Sequence, residues 1–79
     1  MITSNKTSKD EIWLHHYQTA VDYSQKHDFS LALKYLDKAL VIEPNSPLLH
    51  YKYADCLYKM NQNQEAIEYL KKSLQYYSK

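Results

Sequence analysis

Four histidines, nine carboxylates and one cysteine are the residues in this 79-residue chain that could do chemistry. A metal held by one helix needs ligands a turn apart, at i and i+4. Four residues beyond His15, His16 and His50 stand Thr19, Ala20 and Ala54, which offer no imidazole, thiolate or carboxylate. His27 and Asp28 fall in a turn with no second ligand near them in sequence. Cys56 stands among Tyr53, Ala54 and Leu57, where a thiol is expected to be buried, protonated and inert. The chain lacks glycine, so it has no glycine-rich phosphate loop, and it has no nucleophile–base motif at recognisable spacing. The expectation is no catalytic residue, no metal and no cofactor, and hence no enzyme.

Nine tyrosines and ten lysines suggest binding rather than bond-making. Bases stack on tyrosine and phosphates pair with lysine, so RNA binding stays open as an alternative. The acids, however, leave a net charge of only +1, whereas a nucleic-acid surface concentrates positive charge on one face. Lys34, Lys38, Lys71 and Lys72 alternate with Asp37 and Glu68 as a solvated face does, and Glu68 and Lys72 have the spacing of an i, i+4 pair. Met1 to Asp10 lacks the apolar segment of a secretory leader, and no run approaches the ~18 apolar residues of a membrane span. Cys56, the lone cysteine, cannot form an internal disulfide. A cytoplasmic protein without a membrane span is the expectation.

Such residues must be positioned by helices. Absence of glycine starves hairpin turns, and only Pro44 and Pro47 interrupt the chain. Sliding the sequence over itself by 34 residues gives nine identities in one register: Leu14/Leu48, His16/His50, Tyr17/Tyr51, Ala20/Ala54, Ala32/Ala66, Tyr35/Tyr69, Leu36/Leu70, Lys38/Lys72 and Leu40/Leu74. A period of this length marks a repeat in which each unit is one supersecondary element. Ser8-Lys9-Asp10-Glu11 reads as a capping box that opens a first helix running to about Lys26. His27 and Asn61 occupy equivalent breaks, and both residue types tolerate the positive φ that ends a helix. Asp28 caps a second helix ending near Ile42; Ser46-Pro47 starts a third over about 47–60, and a fourth covers about 63–77. Residues 1–8 read as a disordered polar tail before a domain over 9–79, with repeat one at about 13–46 and repeat two at about 47–79. The predicted fold is all-α, two stacked antiparallel helical hairpins.

Ala20 with Ala32, and Ala54 with Ala66, mark the close crossing in each hairpin, where His16 and His50 should sit partly buried with one ring nitrogen bonded. At these positions the chain resembles the tetratricopeptide repeat family. The family pattern continues through Ala32-Leu36-Ala39 and Ala66-Leu70-Ser73, and its closing proline is Pro44, followed by Asn45. The resemblance covers about 13–79. Departures are His16 and His50 in the tryptophan slot, alanine in the small slot, and Ser78 in place of a second closing proline, which reads as the array stopping there. It implies a right-handed stack whose concave face, lined by the first helix of each unit, holds peptides. Some members grip acidic chaperone tails through lysine and asparagine; the matching positions here are Tyr17, Val21 and Lys52, and only Lys52 is charged. No appreciable binding of such tails is therefore expected.

The implied function is a protein-interaction module, an adaptor or scaffold holding a partner's peptide or helix. The expected groove is Leu14, Tyr17 and Val21 in unit one with Leu48, Tyr51, Asp55 and Tyr58 in unit two, Tyr17 and Tyr51 forming successive rungs. Asp55 and Lys59 at its edge would orient a ligand by charge. Apolar residues surround the third helix, so it should be enclosed between the second and fourth. Ile67, Leu70, Leu74 and Tyr77 on the fourth form a face for self-association, so a homodimer, or a structural self-assembly role, is the other alternative.

Overall fold

A computed structural model describes the backbone of residues 4–77 and the side chains of residues 9–77. It contains four helices, α1 (Ser4–Gln25), α2 (Phe29–Ile42), α3 (Pro47–Lys59) and α4 (Asn63–Tyr77), and no strand among the described residues. The pairs α1–α2 and α3–α4 form two hairpins, and α3 also packs on α2. No described helix is long and apolar enough to cross a membrane.

The helix ends follow from the residues at the breaks. His27 and Asn61 adopt φ of 65° and 66°. Behind them the Asp28 N–H donates to the Tyr23 carbonyl and the Gln62 N–H to that of Leu57, each at 2.9 Å. His27 and Asn61 donate to the carbonyls of Ser24 and Tyr58, also at 2.9 Å. These are two Schellman motifs one repeat apart, each satisfying carbonyls that the helix end leaves free. Asp28 accepts the Leu31 N–H and starts α2. Ser46 accepts the Leu49 N–H at 3.2 Å and starts α3, with Pro47 in the first turn where its missing N–H costs nothing.

The N-terminal expectation needs correction. Residues 1–3 of the predicted tail lie outside the described residues, but α1 already runs from Ser4, so Ser8 is inside the helix and is not its cap. Between Ser4 and Ser8 stand Asn5, Lys6 and Thr7, whose helix penalties are a few tenths of a kcal/mol each, and no proline or glycine stops the helix.

At the hairpin crossings Ala20, Ala32, Ala54 and Ala66 are buried, as their small size requires. Leu49 and Cys56 of α3 bury themselves in one cluster with Ala20, Ala32, Leu36 and Ala39 of the first hairpin. A hydrogen bond from the Ser73 hydroxyl to the Pro47 carbonyl, 2.9 Å, ties α4 to the start of α3. The expected enclosure of α3 holds on two sides only. Leu48, Tyr51 and Tyr58 are exposed.

Candidate functional site

The exposed side of α3 faces an open cleft of about 380 Å³ whose second wall is α4. Tyr51, Ala54, Asp55 and Tyr58 line it from α3; Asn63, Ala66, Ile67 and Leu70 line it from α4. A second hollow of about 380 Å³ shares Tyr51 and continues along Pro47, Leu48, Ser73 and Tyr77. Together they make an apolar groove along the second hairpin, with Tyr51 at its middle.

The first hairpin carries the same cleft, filled. One repeat before the eight lining residues stand Tyr17, Ala20, Val21, Ser24, Phe29, Ala32, Leu33 and Leu36. Six of these, all but Val21 and Ser24, belong to or pack against the cluster that contains Leu49 and Cys56 of α3. Ser24 is buried, and its hydroxyl opposes the rise that burial imposes on the Cys56 thiol pKa. The exposures state the difference: Leu36 is 0% exposed and Leu70 40%, while Tyr51 and Tyr58 stand 55% and 65% open. In hairpin one the cleft holds a helix, and in hairpin two no described residue covers it.

The predicted groove residues therefore divide. Tyr51, Asp55 and Tyr58 line the cleft, and Leu48 lines its continuation. Leu14, Tyr17 and Val21 line neither hollow, and Tyr17 packs against the first core cluster. Among the described residues no ring contact joins Tyr17 to Tyr51. Ile67 and Leu70 of the predicted self-association face line the cleft, Tyr77 lines its continuation, and Leu74 is exposed beside them. Sequence reading missed Asn63 and the part Ala54 and Ala66 play in the floor. The 34-residue shift could have found them, because it maps everything α3 covers on hairpin one onto hairpin two.

Charge in the cleft is compensated internally. The Asp55 carboxylate lies 3.4 Å from Lys59 Nζ and 3.9 Å from Lys52 Nζ. The expected Glu68–Lys72 pair does not form. Lys72 Nζ instead sits 4.7 Å from the Tyr69 ring centre, as Lys38 does over Tyr35 at 5.2 Å one repeat earlier. Behind the cleft the Tyr53 ring stacks on Tyr69 with centroids 4.3 Å apart. Burial, reinforced by the Asp37 carboxylate and the Tyr69 hydroxyl, pushes the Tyr53 phenol well above its ordinary value of 10.0.

The remaining candidates for chemistry are structural. Cys56 is fully buried, and burial raises its thiol pKa, so the nucleophilic thiolate is disfavoured. His50 Nε2 lies 2.8 Å from the Pro44 carbonyl oxygen, so this nitrogen carries the proton and donates it. His16 departs from the expectation of one bonded nitrogen: its Nδ1 is buried without a partner, like that of His50, and no hydrogen bond joins its ring to another residue. Among the described residues no group of three or more histidine, cysteine or acidic side chains could hold a metal.

The family model described as Tetratricopeptide repeat matches residues 23–78, which take in the end of α1 and the whole of α2, α3 and α4. The chain belongs to the tetratricopeptide repeat family. A comparison with curated proteins finds no match. Tetratricopeptide repeats are non-catalytic modules that generally mediate protein–protein interaction. In the first tetratricopeptide hairpin a helix fills the cleft that stands open in the second.

Proposed function

We propose that the protein is an interaction module that holds a helix of a protein partner in the cleft between α3 and α4. The observation that carries this reading is the match between the two clefts: lining positions covered by a helix in hairpin one recur in hairpin two with no described element over them. Of the eight, Tyr51, Ala54, Ala66 and Leu70 are identical to their counterparts and Ile67 replaces Leu33. A surface shaped to take Leu49, Tyr53 and Cys56 of a helix at i, i+4 and i+7 selects another amphipathic helix of that spacing. Tyrosine suits the rim, since it offers large apolar area with a polar tip and few torsions to freeze. This places the site on the side of α3 that faces α4, rather than across α1 and α3.

The test uses a synthetic helix of residues 47–59, stapled through solvent-facing positions because so short a helix is marginal alone. It is expected to bind the full chain, and Tyr51→Ala is expected to weaken binding roughly 30-fold, the equivalent of about 2 kcal/mol, with the melting temperature unmoved. Absence of binding, or binding indifferent to Tyr51→Ala, would end the reading.

A further inference from the structure

We infer that the helix this cleft receives is α4 of a second copy of the chain, so that the protein forms a two-fold dimer through Ile67, Leu70, Leu74 and Tyr77; the inference rests on the cleft reading above.

Three observations select a second copy. The first is spacing. Ile67, Leu70, Leu74 and Tyr77 fall at intervals of three, four and three residues, the a/d seam of paired helices, and they are 50%, 40%, 67% and 79% exposed. That interval pattern reads the same in both directions. An antiparallel copy therefore sets Ile67 against Tyr77 and Leu70 against Leu74, twice over, as a two-fold axis requires.

The second is the polarity of the opposite end. One repeat before Leu49, Tyr53 and Cys56, the residues that α3 offers to hairpin one, stand His15, Thr19 and Asp22 on α1. A head-to-tail stack would lay those polar side chains onto the apolar wall of the cleft and strip their water without replacement. Open-ended stacking is thus disfavoured, and closed face-to-face pairing is the association left to this surface.

The third is size and charge. With Tyr51 and Tyr58, the four seam residues expose at most roughly 700 Å², somewhat below the about 800 Å² per partner of a standard protein interface, which suits a dimer that dissociates on dilution. Asp55, the one carboxylate lining the cleft, is already held by Lys52 and Lys59, and the chain carries only +1, so copies meet without strong long-range repulsion.

Sedimentation equilibrium of the full chain tests this. The expected mass is twice the 9.4 kDa of one chain at high micromolar concentration, falling toward one chain on dilution. Ile67→Lys should weaken the dimer by at least about 30-fold while helicity and melting of the monomer hold. Tyr77→Lys, at the most exposed seam position, gives the same readout should Ile67→Lys disturb the fold. A wild-type monomer that still binds the 47–59 helix overturns the second copy but keeps the cleft. A monomer that does not bind it overturns both. A dimer untouched by either lysine lies on another surface and overturns the inference too.

Discussion

Leu36 and Leu70 are the same residue at the same place in two hairpins 34 positions apart, yet one is sealed and the other stands 40% open. Tyr17 and Tyr51 differ likewise: the first packs against a core cluster, and the second rises from the middle of a groove. Hairpin one is finished by α3, whereas hairpin two presents the same walls to solvent. In a repeat fold a unit's side chains acquire their role from the next helix laid against them, so one pattern supplies core in one unit and contact surface in the other.

The sharpest way to break this comparison is to truncate both leucines. Leu36→Ala should cost about 2–5 kcal/mol, enough to unfold much of a chain whose margin is about 3–5 kcal/mol. Leu70→Ala should cost under about 1 kcal/mol at concentrations where the chain is monomeric, because less contact is lost there. Urea titrations of the two variants showing equal losses would mean that the hairpins are equivalent after all.

The tyrosine pair gives the next largest contrast. Tyr17→Ala should lower the melting temperature by several degrees, while Tyr51→Ala should leave it nearly unchanged and act on binding. A scanning calorimetry trace with the two variants reversed would contradict the assigned burial.

Caps should behave alike wherever they sit, since they answer to local geometry. Ser46→Ala and Asp28→Ala should each cost about 1 kcal/mol of stability by urea titration. A negligible loss for either would show that its capping bond contributes little.

The smallest effect is in alkaline solution. The Tyr53 phenol is raised in the folded protein, so its contribution is complete below its ordinary value of 10.0 and is lost as pH rises above it, because the unfolded chain gives up that proton first. Stability measured across that range should fall less steeply in Tyr53→Phe than in the natural chain, and an unchanged slope would remove Tyr53 as the cause.

Much of the fold is legible because its signals are local. His27 and Asn61 mark the breaks, Ser46-Pro47 marks a start, and the alanines mark the crossings, each through the backbone or volume of its own residue. The start of α1 is not legible in the same way: a capping box at Ser8 is compatible with a helix that simply continues through it. Nor does Glu68 at i, i+4 to Lys72 decide a pair when the Tyr69 ring competes for the same ammonium. The tyrosines resist for a different reason. Tyr17 and Tyr51 share residue type and repeat position, so nothing within either helix separates them, and only the packing of α3 on α2 does.

The most direct test of the open cleft is a map of amide chemical shifts in the labelled chain as the stapled 47–59 helix is added. Shifts are expected to cluster at Ala54, Asp55, Ala66 and Leu70, with Ala20, Ala32 and Leu36 still. Shifts centred on hairpin one, or spread along α1 across Leu14, Tyr17 and Val21, would contradict the open cleft.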